Sequence, residues 1–190
     1  MFRSDKYKFY FTHIPKTGGT SIKKALLPYA NKGQLYFNGE KVTDGEGFHP
    51  HVPLTASTAK SFNDYYKFAF VRNPWARFVS LYLFLRGRDR DIVRNKSFSF
   101  FITDIVTNRN MYSRTQVRFG LEHMDYVGQF ENIDADFQLI CRNIGIPDEI
   151  VLSHFKDQGE YNYRDFYTGT TKAMVKAHCQ KTIKWFNYKF

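Results

Sequence analysis

Two hydrophobic rhythms alternate along the chain. Tyr7 to Thr12 alternates aromatic and charged residues in a short run rich in strand formers, and Asp64 to Val71, DYYKFAFV, does much the same. Asp125 to Phe130, DYVGQF, predicts a third strand. Elsewhere apolar residues recur at steps of three and four. Ser21 to Ala30 sets Ile22, Ala25 and Leu26 on one face of a helix that ends near Pro28 or at the Asn31-Lys32-Gly33 turn. A short helix is expected from Thr55 to Phe62, and a longer one from Pro74 to about Leu85, with Asn73 as its cap and Pro74 at its first position. The latter buries Trp75, Phe78, Val79, Tyr82 and Leu85 and leaves Ser80 off the stripe. Further helices are expected over Phe98 to Val106, over the segment after Asn132 with Phe137, Ile140, Cys141 and Ile144 inward, and near the C-terminus with Val175, Cys179, Ile183 and Phe186 on one stripe. Gln34 to Val42 predicts a hairpin around Asn38-Gly39, and the polar stretch Thr43 to Pro53 is a loop carrying two histidines. Strands alternating with helices argue an α/β fold with a mostly parallel central sheet, whose strand-end loops hold the ligand, in one domain over residues 1–190.

Composition narrows the function. A chain of 190 residues, 43% hydrophobic and 18% aromatic, buries a real core and is no disordered tail. Its 28 Lys and Arg against 18 Asp and Glu give a net charge of +10, which favours negatively charged partners. Charge alone leaves nucleic acid, anionic glycan, nucleotide and membrane surface open. There is no apolar run long enough to span a membrane, and MFRSDKYKFYF lacks the features of a signal peptide. A cytoplasmic protein, or the catalytic part of something longer, is expected. Cys141 and Cys179 lie apart from other cysteines and from any metal-spaced histidine, within helical patterns, and read as small buried thiols.

The first expected strand runs straight into HIPKTGGTS. Pro15 fixes one torsion, Gly18 and Gly19 let the backbone turn tightly and approach a ligand, and Thr20 or Ser21 caps a helix beginning at Ile22. The N–H groups of such a helix start favour an anion, and Lys16 adds a full positive charge. The order differs from the nucleotide triphosphatase loop GxxxxGK[ST], since the lysine here precedes the glycines. Over His13 to Ser21 the chain instead resembles the 5′-phosphosulfate loop of the sulfotransferases, in the wording of the carbohydrate-type Golgi and bacterial branch.

Other segments extend that resemblance in order. FVRNPWARFVSLY is similar to the family's 3′-phosphate motif, an arginine at a strand end with a serine eight positions on, here Arg72 and Ser80. VGQFEN followed by a helix and GIP is similar to another family segment, with Gln129 in place of the common arginine, and the ending WFNYKF is similar to the family terminus. The resemblance implies a single P-loop-like three-layer domain. It implies transfer of a sulfuryl group from 3′-phosphoadenosine 5′-phosphosulfate (PAPS) to a hydroxyl, most naturally on a carbohydrate, leaving adenosine 3′,5′-bisphosphate (PAP). Lys16 and the amides of Thr17, Gly18, Gly19, Thr20 and Ser21 would hold the 5′-phosphosulfate, and Arg72 and Ser80 the 3′-phosphate. Tyr163 or Arg164, in NYRDFY, would close over the nucleotide.

A histidine can take the acceptor's proton near neutral pH. The resemblance places that base after the second strand, where His51 is the better match and His49 the fallback. No metal is expected, because neither histidine has a third ligand nearby and lysine with loop amides supplies the positive field. Arg114, Gln116 and Arg118 precede the last strand, where the family builds its acceptor cleft, and are candidate substrate contacts, while Glu131 reads as a helix-capping carboxylate or, alternatively, as a group that orients a catalytic side chain. A nucleic-acid partner is not expected, since the aromatic residues fall at core spacings. The lack of the N-terminal anchor usual in Golgi members points to a bacterial or viral source. A phosphate-transfer enzyme of the nucleotide kinase kind and a non-catalytic anion-binding protein are the rival classes.

Overall fold

The computed structural model describes residues 2–31, 35–37, 40–42, 51–108, 111–146, 150–153 and 161–190. Its contacts gather into two compact units, Met1–Val71 with Phe119–His154, and Arg72–Arg118 with Phe155–Phe190.

The first unit is built on a mixed sheet. In chain order its elements are β1 (Phe2–Ser4), β2 (Phe9–Thr12), α1 (Gly19–Leu26), β3 (Leu35–Phe37), β4 (Glu40–Val42), α2 (Ala56–Ser61), β5 (Tyr66–Val71), β6 (Tyr126–Gln129) and α5 (Ile133–Asn143), while α3 (Pro74–Gly87) and α4 (Phe98–Asn108) belong to the other unit. The sheet order is β1-β2-β5-β6, with β2 parallel to β5, β5 parallel to β6 and β1 antiparallel to β2. The expected α/β class with a mostly parallel sheet is what the chain adopts. β3 and β4 pair antiparallel, as the hairpin pattern predicts, although its Asn38-Gly39 turn lies outside the described residues.

Strand alternation sorts the side chains. Phe9, Phe11, Phe68 and Phe70 share one core with Ile22 and Leu26 of α1 and Phe137, Ile140 and Cys141 of α5, all essentially buried. Tyr10 points the other way, into a cluster with Leu54, Tyr65 and, from beyond α2, Phe62. Helices thus cover both faces of this sheet, the arrangement a parallel sheet needs. The strand expected from Tyr7 begins only at Phe9, because Asp5–Lys8 reverse the chain and Lys8 adopts a left-handed backbone (φ 49°). That reversal adds β1, whose Phe2 ring lies 6.1 Å from Phe9 and 6.2 Å from Phe11. Ser4 Oγ donates to the Tyr29 carbonyl at 2.6 Å and ties the added strand to the end of α1.

The second unit is helical, with α3 (Pro74–Gly87), α4 (Phe98–Asn108), α6 (Gly169–His178) and α7 (Gln180–Phe186). Its core joins Trp75, Phe78, Val79, Tyr82 and Leu85 of α3 to Phe98, Phe101, Ile102 and Ile105 of α4 and to Val175 and Cys179. The periodicity of α3 predicts a one-sided helix, whereas every residue from Pro74 to Tyr82 is buried, Arg77 and Ser80 included. The single C-terminal helix expected from the Val175–Phe186 stripe is two, meeting at Cys179, which stays 2% exposed at the corner. Both thiols are buried as expected. Burial pushes Cys141 up to about 11 and Cys179 up to about 12. Among the described residues no helix is long and apolar enough to cross a membrane.

Candidate functional site

β2 and β5 are neighbouring parallel strands, so their carboxyl ends lie at the same edge of the sheet. The chain leaves β2 into residues 13–21 and leaves β5 into Arg72. Strand ends at one edge of an open parallel sheet are where α/β proteins bind ligands.

The first of these segments is shaped by its backbone. Ile14 is fully buried and anchors the loop in the core, and Thr17, also fully buried, donates its hydroxyl to the Ile14 carbonyl at 2.9 Å. On either side of Thr17 the backbone is left-handed, at Lys16 (φ 67°) and at Gly18 (φ 82°). For Lys16 this conformation costs about 1–2 kcal/mol, and such strain collects at ligand sites. A methyl group on Gly19 would run into the His13 imidazole, and the left-handed backbone at Gly18 strains any side chain placed there.

The helix start differs from expectation. α1 begins at Gly19, not Ile22, with left-handed Gly18 as its N-cap, so Thr20 and Ser21 lie within the first turn and do not cap it. Ile22 is where the helical bonding begins, its N–H donating to the Gly18 carbonyl at 3.2 Å. No side chain caps the helix and its first turn holds no acid. The amides of residues 19–21 therefore precede the helical ladder, and they carry the positive end of the helix dipole beside Lys16. An anion is the partner such a set of donors fits.

His51 meets the same loop. Its Nδ1–H donates to the His13 carbonyl at 3.1 Å, and the two rings stand edge to face with centroids 4.7 Å apart. A carbonyl only accepts, so this bond puts the proton on Nδ1 and makes Nε2 the basic position of an exposed imidazole. His49 lies outside the described residues.

The second segment is held by side chains. Asn73 caps α3 as expected, its Oδ1 accepting from the Trp75 and Ala76 amides at 3.1 and 3.4 Å, with Pro74 next to it. The same side chain donates through Nδ2 to the Lys189 carbonyl at 2.8 Å, which fastens the C-terminus to the start of α3. Gln116 is turned inward. It is 1% exposed, its Oε1 accepts from the Arg72 N–H at 2.8 Å, and its Nε2 donates to the Arg72 carbonyl at 2.7 Å. Arg114 and Arg118 are exposed. Ser80 is only 5% exposed, and Arg77, one turn into α3, is 2% exposed with Nη2 donating to the Arg114 carbonyl at 3.4 Å. Burial lowers the Arg77 guanidinium to about 10, and the like charge of Arg72 pushes the same way.

Arg164 stands in an exposed turn whose start is capped by Asn162, with Oδ1 accepting from the Arg164 amide at 3.1 Å. Its guanidinium lies 4.7 Å from the Tyr163 ring centre and 5.8 Å from that of Phe190. Phe190 in turn sits edge to face with Trp75 at 5.6 Å, so Arg164 and Tyr163 belong to the aromatic group at the start of α3. Glu131 does not cap α5, because the N-cap is Asn132 and no side chain caps that helix. The Gln116 clamp, the burial of Arg77 and the His51–His13 bond have no signal in spacing, since each joins residues far apart in sequence or reverses the usual habit of a polar side chain. Among the described residues no group of three or more His, Cys, Asp or Glu side chains is placed to hold a metal ion.

Comparison with known proteins identifies a family for the chain. The model of the sulfotransferase family matches residues 1–185. An uncharacterized protein of Archaeoglobus fulgidus is 32% identical over 108 residues, 55% of this chain and 88% of that protein. Carbohydrate sulfotransferase 10 of Xenopus laevis is 25% identical over 139 residues, 67% of this chain but only 37% of the relative's length. No solved structure matches the chain significantly.

Proposed function

Since the chain belongs to the sulfotransferase family, we propose that it moves a sulfuryl group from PAPS to a hydroxyl of a carbohydrate and releases PAP. The observation that supports this reading is the loop at the carboxyl end of β2, where a lysine, two glycines and a helix start without a side-chain cap follow one another, a set of donors suited to an anion. The carbohydrate acceptor is supported by the Xenopus relative, whose name gives its substrate class, and by the net charge of +10.

In the proposed reaction the acceptor oxygen attacks sulfur in line, the bond from sulfur to the 5′-phosphate oxygen breaks, and the hydroxyl proton passes to Nε2 of His51. Lys16 and the amides of Thr17 to Ser21 stabilise the negative charge that grows on the departing phosphate oxygen. Arg72 and Ser80 hold the 3′-phosphate, the guanidinium by charge-assisted hydrogen bonds. Arg164, on its aromatic support, covers the nucleotide. Ser80 is buried, so phosphate binding would have to turn its hydroxyl toward the nucleotide.

Calorimetric titration with PAP, AMP and ATP in metal-free buffer tests the reading. Tight binding of PAP and weak binding of AMP is the expected result. Equal binding of all three, or none, would overturn it and return the positive charge to a nucleic-acid role.

A further inference from the structure

Arg72 lies just beyond β5, where the sheet ladder ends with Val71 paired to Gln129. Its peptide groups are nevertheless gripped as though a further strand lay alongside. The Gln116 carboxamide is a side-chain copy of a peptide group, with one acceptor and a donor about as far apart as those of a strand. It uses both on one residue, at 2.8 Å to the Arg72 N–H and 2.7 Å to the Arg72 carbonyl. Two bonds to the same residue restrain both of its backbone torsions, and therefore the direction of its Cα–Cβ bond. A single bond would leave a hinge.

The neighbouring residue completes the restraint, since Asn73 is locked by its own cap and by Lys189. Gln116 is itself fixed, being 1% exposed in the short 3₁₀ turn Gln116–Phe119. An amide this deep is costly unless both its ends are bonded, and both ends are bonded to Arg72. The position expected from sequence to touch the acceptor has its polar atoms committed elsewhere.

We propose that Gln116 is a positioning residue that aims the Arg72 guanidinium, and so sets recognition of the nucleotide's 3′-phosphate without touching it. This rests on the reading that Arg72 holds that phosphate. A guanidinium forms its paired bonds to phosphate only in a narrow geometry, so a loosened Arg72 backbone is felt as lost affinity for the 3′-phosphate alone. A merely structural amide would weaken every nucleotide alike.

The test is calorimetry with PAP and with AMP, which lacks the 3′-phosphate, on the wild type, Gln116→Ala, Gln116→Met, Arg72→Ala and the Arg72→Ala/Gln116→Met pair. The methionine keeps the buried volume while removing both bonds, so it serves where alanine fails to fold. Gln116→Met is expected to weaken PAP roughly tenfold with AMP held within about twofold, and to add nothing in the Arg72→Ala background. Equal loss for the two nucleotides, or an unchanged preference for PAP over AMP, overturns the positioning role while leaving the functional reading in place. A wild type with no preference for PAP overturns that reading, and the role of Gln116 with it.

Discussion

The two segments at the strand ends that we propose hold the donor are shaped by opposite means. Residues 13–21 present main-chain amides, and their geometry is enforced by what is missing: no side chain at Gly18 or Gly19, no cap and no acid at the start of α1. Arg72 to Ser80 presents side chains, and its geometry is enforced by what is added, namely Gln116 on the Arg72 backbone and Asn73 on the first turn of α3. A site of the first kind is broken by adding atoms, and a site of the second kind by removing them. Lys16 is the exception within its loop, a side chain proposed to add a full charge that the amides lack.

The largest expected effect tests that exception. Lys16→Ala should cost roughly 3–4 kcal/mol in the transition state, a hundredfold or more in turnover, with an unchanged circular dichroism spectrum. Near-normal turnover would remove Lys16 from the chemistry. Next, Gly18→Ala combines a left-handed backbone with a collision against Ile133, and should lower stability by roughly 2–3 kcal/mol in a denaturant titration. A neutral result would show that the loop relaxes, and the contrast between the two segments would fail.

Arg72→Ala is the counterpart by removal. It should weaken PAP by about 2 kcal/mol, roughly thirtyfold, and leave melting temperature nearly unchanged. Asn73→Ala removes a cap and the tie to Lys189, and should cost about 1 kcal/mol of stability, read from thermal melting, with the loop of residues 13–21 unaffected.

The smallest effect separates the cores of the two units. Cys141 belongs to the first and Cys179 to the second, and burial raises both thiols above their ordinary value. Their contribution to stability is complete below that ordinary value and declines as pH rises toward about 11 and about 12. Neither thiol should react with a disulfide reagent at pH 8 until the protein unfolds. Reaction of one alone in the folded state would mark its unit as the one that opens locally.

Much of the α/β order was legible because it is local. Tyr66 to Val71 is a run of strand formers, Asn73-Pro74 is a helix start in any context, and both are found where the pattern puts them. Sequence also assigned Asn73 its cap and the cysteines their burial. It erred where the deciding contact is remote. β1 exists because Phe2 reaches Phe9 and Phe11 across a reversal, and no period announces a strand of three residues. Ser80 reads as an outward position because periodicity assumes that one side of a helix meets water, and the first turns of α3 meet none.

Residue order by itself determined most of the elements, the loop with its two glycines and a lysine, and the excess of positive charge, because these depend on neighbours within a few bonds or on simple counting. Tertiary structure alone decided that α1 starts at Gly19, that His51 carries its proton on Nδ1, and that Gln116 closes on Arg72. The last two depend on which donor meets which acceptor across 38 or 44 residues of chain. A hydrogen bond is specified by distance and angle in space, and the spacing of residues along a chain does not encode either.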